Sequence, residues 1–214
     1  MTIAPDFDPT FVDRLDILLR WRRDVRHFLP QPVAEADMQQ LLEAAALAPS
    51  VGNAQPWRFV RIHSADLRAQ LADHVDACVA DAAPDQAAPD RRALYGSLKL
   101  HGIREAPQLL AVFSDDDPKA GHGLGIATMR ECLCYSTVMA IHGLWLAARA
   151  RGIGVGWVSI LDPRTVSAML DVPDDWALVA VLCIGYPERH SSVPELEERR
   201  WQRREDLASR ILVR

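Results

Sequence analysis

Ten residues, Ala48-Pro49-Ser50-Val51-Gly52-Asn53-Ala54-Gln55-Pro56-Trp57, restrict the fold more than any other stretch. Apolar residues at helical spacing (Met38, Leu41, Leu42, Ala45) precede them, and alternating apolar and polar residues over 57–63 follow. The two prolines discourage helix, while Gly52 and Asn53 tolerate the left-handed backbone of a tight turn. A helix must therefore hand over to a strand through a short, rigid loop. That loop carries a hydroxyl and two carboxamides, on Ser50, Asn53 and Gln55, which together donate and accept hydrogen bonds. Such groups suit the edge of a planar heterocycle, and they equally suit a connector that caps itself. The loop alone does not choose.

The rest of the chain mixes helix and strand signals. A helix is expected over 8–21, with Asp8 as N-cap, Pro9 at the first helical position, and Phe11, Leu15, Leu18 and Leu19 on one face. Further helices are expected over 34–48, 65–82 behind a Ser64 cap, 91–102, 129–151 and 163–170, and strands over 108–114 and 177–184. The helix over 129–151 is apolar nearly all round, which places it in a core or against another subunit. Residues 83–90, rich in Pro, Ala and Asp, read as a mobile loop, and 115–125 as a surface loop or a lid. No strict β-α-β alternation appears. The expected class is α+β, helices packed about a mixed, mainly antiparallel sheet, in a single domain over 1–214. Glycines 152, 154 and 156 lead into a strand rather than from strand to helix, so they do not form a dinucleotide fingerprint.

Composition narrows the partners. The net charge of −5 argues against nucleic acid or an anionic membrane. No apolar run approaches a membrane span and no signal sequence is visible, so the expectation is a cytoplasmic protein. Cys78, Cys132, Cys134 and Cys183 lack the spacing of a zinc or redox pair and are expected reduced, mostly buried and metal-free. The histidines show no metal spacing, and His122 reads as a plain loop residue.

Chemistry gathers at two further places. Arg22, Arg23 and Arg26 flank Asp24 and Val25 where the first helix ends. They are either solvated charges on a helix dipole or a guanidinium pocket for a phosphate. Asp24 is then either the partner of an internal salt bridge or a group that takes a proton from the ligand. Gly156-Trp157-Val158-Ser159 would let backbone approach a ligand closely, with the Ser159 hydroxyl at the strand end.

Taken together, the segments 21–26, 48–57, 145–150 and 154–163 resemble the FMN-dependent nitroreductase superfamily, with the likeness running over about 11–203 and weakest over 77–90. Within that family they are similar to the branch that consumes flavin to make 5,6-dimethylbenzimidazole, the lower ligand of cobalamin. Asp24 is the most branch-specific position, since ordinary members usually carry serine there; Ser159 is the second. The resemblance implies an intertwined homodimer with FMN at the subunit interface and a tail, 187–214, extended over the partner. It implies that Arg22, Arg23 and Arg26 hold the phosphate, ribityl chain and pyrimidine edge, with Asp24 and Val25 in the same segment. Ser50, Asn53 and Gln55 would line the flavin from either subunit. Val158 and Ser159 would face its ring, Lys99 and Leu100 would help cover it from the helix over 91–102, and Arg203 would add a phosphate contact. The implied reaction uses reduced FMN as substrate and O2 as co-substrate, with a separate flavin reductase as the source of reduced flavin and no metal. Asp24 and Ser159 would be catalytic. An ordinary NAD(P)H-dependent nitroreductase is the alternative enzyme, and a flavin carrier without chemistry is the third reading.

Overall fold

The computed structural model describes residues 4–82 and 88–214. Its first half runs α1 (Pro9–Trp21), α2 (Glu35–Ala46), β1 (Trp57–Arg61), α3 (Ala65–Ala82) and α4 (Pro89–Gly96). Its second half runs β2 (Gln108–Asp115), α5 (Cys132–Ala150), β3 (Gly154–Val158), α6 (Pro163–Met169), β4 (Trp176–Gly185) and α7 (Glu195–Glu198).

β2 and β4 organise the fold because they are apolar on both faces. In β2, Leu110 and Val112 enter one core while Leu109, Ala111 and Phe113 enter another. β4 divides the same way, Ala180, Leu182 and Ile184 against Val181 and Cys183. Strands buried on both sides belong at the centre of a sheet, and the order is β1-β2-β4-β3. Every neighbouring pair is antiparallel, with a bulge at Val112/Phe113. The parallel component expected of a mixed sheet is the isolated bridge between Asp24 and Val155.

α2 and α5 cover one face through Met38, Leu41, Ala45, Ile141 and Leu144. α3 and α6 cover the other through Leu71, Val75 and Val166. α1 starts as expected: the Phe11 N–H donates to Asp8 Oδ1 at 2.7 Å, and Pro9 opens the helix. Yet α1 has no buried residue, and on α5 Tyr135, Val138 and Met139 stand exposed.

Three expectations need correction. The helix expected over 91–102 ends at Gly96, because glycine is a poor helix former and Ser97 Oγ donates to the Leu94 carbonyl at 2.7 Å. Lys99 and Leu100 therefore lie beyond that helix. α5 begins at Cys132 rather than 129, preceded by turns at 129–131. Among the cysteines only Cys183 is buried; Cys78, Cys132 and Cys134 are half-buried. Of the loop expected over 83–90, positions 83–87 lie outside the described residues. No helix of the described residues is long and apolar enough to cross a membrane.

Candidate active site

A β-sheet edge needs covering, and here the chain covers β3 with its own segment 24–28. The Val25 N–H donates to the Val155 carbonyl at 3.0 Å, and Phe28 bridges Pro187 on the other side. This approach is possible only over glycine. A Cβ on Gly156 would stand 2.1 Å from the Val25 carbonyl oxygen, and one on Gly154 would stand 2.8 Å from Val25 Cγ2. Gly102 and Gly185 make the same room for the Phe28 ring, at 2.6 and 3.0 Å. The sequence reading of Gly156 as room for a ligand is thus corrected: what approaches it is Val25.

Seated in this way, Asp24 is held at both oxygens. Oδ1 accepts from the Trp157 N–H at 2.8 Å, and Oδ2 accepts from Arg26 Nε at 2.9 Å. Arg26 Nη1 also donates to the Lys99 carbonyl at 3.1 Å, which brings Lys99 to the cluster by its backbone. Its ammonium is engaged elsewhere, with Glu105 at 2.8 Å. Arg22 lies over the Trp145 ring, 4.9 Å from its centroid, while Trp145 Nε1 donates to the Arg23 carbonyl at 3.2 Å. Trp145 in turn stacks on Trp157 at 6.5 Å. Val158 is buried, and Ser159, two residues beyond the Trp157 that contacts Asp24, is exposed just past the end of β3.

A cavity of about 180 Å³ opens here, lined by Arg22, Arg23, Asp24, Arg26, Glu195 and Arg204, among others. Burial and the Arg204 charge both lower the pKa of Arg22 and of Arg23, although guanidinium groups remain cations throughout. Arg23 Nε is buried without a hydrogen-bond partner. Four guanidinium groups crowded against two carboxylates leave a net positive cavity that calls for an anion. Burial raises the pKa of Asp24, opposed by Arg26 and the Trp157 N–H and assisted by Glu195. A 30% exposed side chain keeps that carboxylate in reach of whatever fills the cavity.

Ser50, Asn53 and Gln55 are brought together with one another but not with the arginines. Their loop leads into β1, and the arginine segment covers β3, at opposite edges of the sheet. Ser50 Oγ accepts from the Gln55 N–H at 3.0 Å, and Ser136 Oγ of α5 accepts from Val51 N–H at 3.1 Å. Gly52, Asn53 and Gln55 all have positive φ, so the loop is tightly coiled with both carboxamides exposed. It docks on residues 121–125, where a Cβ at Gly52 would meet the Leu124 carbonyl at 2.6 Å. On the tail, Arg203 is exposed, and the neighbouring Arg204 lines the cavity. Sequence reasoning did not single out Arg204 or Glu195. The charged tail was the one signal available, and charge without a partner in sequence does not say which residue lines a cavity. Among the described residues no cluster of three or more His, Cys, Asp or Glu side chains could hold a metal.

An antiparallel sheet clad by helices on both faces, with a cationic cavity at one edge, defines an α+β ligand-binding enzyme framework. Residues 19–186 match the family model of the nitroreductase family, and the chain belongs to that family. It is 56% identical over 95% of its length to a 5,6-dimethylbenzimidazole synthase of Rhodospirillum rubrum, covering 96% of that protein. A relative of the same name from Rhodobacter capsulatus is 50% identical, over 92% of this chain and 95% of the other. Among solved structures, oxidised iodotyrosine deiodinase bound to FMN and 3-iodo-L-tyrosine aligns at a TM-score of 0.72. It is 25% identical, over 94% of this chain and 97% of that one.

Proposed function

We propose that this protein is a 5,6-dimethylbenzimidazole synthase, which consumes reduced FMN with O2 and releases the benzimidazole and erythrose 4-phosphate. Nearly full-length likeness to two relatives of that name supports the reading. Within the site one observation carries the chemistry: a carboxylate, Asp24, set among guanidinium groups and open to their cavity.

The donor set fits a phosphorylated flavin. Arg22, Arg23 and Arg204 repel one another, and Arg23 Nε lacks a partner, so a phosphate dianion relieves both strains at once. Reduced FMN, when bound, supplies the electrons and the carbon skeleton for the reaction with O2. Arg26 stays committed to Asp24 and the Lys99 carbonyl, and so orients the carboxylate rather than the phosphate. Asp24 then accepts a proton at the first ribityl carbon, a task suited to a carboxyl whose proton affinity burial has raised. Val158 is buried in the same core as Phe28 and Val181, and the exposed Ser159 hydroxyl that follows it offers a hydrogen bond to the flavin edge or to oxygen.

The same reading makes the molecule a homodimer. The Ser50–Gln55 loop and the arginine cavity sit at opposite sheet edges, and a second copy can bring one copy's loop to the other's cavity. The exposed apolar residues of α1 and α5 offer a surface for that contact. A separate flavin reductase supplies the reduced flavin.

Aerobic incubation of the purified protein with chemically reduced FMN, followed by mass analysis, tests the reading. Wild type should yield dimethylbenzimidazole, and Asp24→Asn should yield roughly 100-fold less. A near wild-type yield from Asp24→Asn removes Asp24 from the chemistry. A protein that instead retains its flavin and oxidises NAD(P)H against a nitroaromatic acceptor is an ordinary nitroreductase.

A further inference from the structure

We propose that Glu195 is a positioning residue for Asp24, reaching in from the tail to hold a second negative charge against that carboxylate inside the arginine-lined cavity. Its role in catalysis rests on the function proposed above; its effect on Asp24 does not. Glu195 opens α7, and its side chain is only 14% exposed. It lines the 180 Å³ cavity together with Asp24, and also a smaller one of about 40 Å³ that shares Arg23, Asp24 and Arg26 with it. Its nearest basic side chains stand off: His27 Nε2 at 3.7 Å and Arg199 Nε at 4.0 Å, beyond the range of a charge-assisted hydrogen bond. Glu198, three residues on, is tied at 2.6 Å to Arg189 and at 2.7 Å to Ser191. Glu195 is thus a tail carboxylate that is half-buried, loosely paired and part of the cavity wall.

The surroundings of Asp24 set the direction in which such a charge acts. From its own segment it faces Arg22, Arg23 and Arg26; from β3, the Trp157 N–H; from the tail, Arg204 and Glu195. His27 and Arg189 line the smaller cavity beside it. Burial favours the neutral acid that a base must regain, while the Arg26 cation stabilises the charged form. Repulsion from Glu195 works in the opposite sense, alongside burial. Arg204 and Glu195 come from the same tail, so one segment delivers both the anion-binding charge and its counterweight.

The test uses the full-length protein without flavin, with carboxyl-carbon NMR of selectively labelled Asp and Glu. In Glu195→Gln, the Asp24 carboxyl should titrate about half a pH unit or more below its wild-type value. Glu195→Asp, which keeps the charge, should restore most of the shift. A second neutral variant, Glu195→Ser, should give the same fall in the Asp24 titration. That second arm stands even if Glu195→Gln does not fold. An Asp24 titration unmoved in a folded Glu195→Gln or Glu195→Ser overturns the proposal. If the titrations couple but no dimethylbenzimidazole forms at any pH, the functional reading has failed and the coupling stands.

Discussion

Burial raises the proton affinity of Asp24 while Arg26 and the Trp157 N–H lower it, and the balance falls on the raised side. A carboxyl harder to ionise in the fold than in the unfolded chain favours folding at acid pH. That contribution is complete below the ordinary carboxylate pKa of about 3.9 and is lost as pH rises through the raised value. Wild type should therefore lose melting temperature relative to Asp24→Asn as pH rises across that window, which thermal scans at a series of pH values will read. Gln55 presents a second strained residue. Its φ of 49° is left-handed, which costs an L side chain about 1–2 kcal/mol, and glycine would remove that cost. Gln55→Gly should fold with equal or slightly greater stability, by up to about 1 kcal/mol in urea unfolding, since the freer unfolded chain offsets part of the gain. A loop held in this shape against its own preference suits a carboxamide that must be aimed, as the proposed flavin contact requires.

Segment 24–28 and β3 form a unit that packing decides more than propensity. Gly156→Ala adds one carbon where the Val25 carbonyl oxygen already stands 2.1 Å away. It should destabilise the fold by about 3 kcal/mol or more and weaken flavin binding with it, because the arginines ride on the displaced segment. Unfolding curves and a flavin titration on the same sample check both effects. The glycines and arginines were each visible in the sequence, as were the N-caps at Asp8 and Ser64 and the strands β1, β2 and β4. Their mutual contact was not, since more than a hundred residues separate Val25 from Gly156 and nothing local marks a glycine as the seat of a distant backbone. The early stop of α4 is a local matter instead: Gly96 and the Ser97 side chain end the helix where no proline marks a boundary.

At the scale of the molecule, the two halves of the candidate site lie at opposite edges of the sheet, so one chain supplies a loop at one edge and a cavity at the other. From the sequence, Ser50, Asn53 and Gln55 read as flavin-lining groups of either subunit or as a self-capping connector, and their place at the edge far from the arginines is what the proposed dimer has to bridge. Val138→Glu, on the exposed stripe of α5, puts a charge into the proposed subunit contact. It should turn a dimer into a monomer by light scattering, with unchanged circular dichroism and at least about a tenfold loss of flavin affinity, roughly 1.4 kcal/mol. A variant that stays dimeric and binds normally would place the contact on another surface.

The four glycines under residues 24–28 have a consequence for how such a protein can change. A floor that cannot admit one extra methyl is closed to drift, so new ligand preferences have to enter from the rim, through the tail bearing Glu195 and Arg204. Exchanging that short strip between relatives would rewrite the charge of the chamber while leaving its foundations untouched.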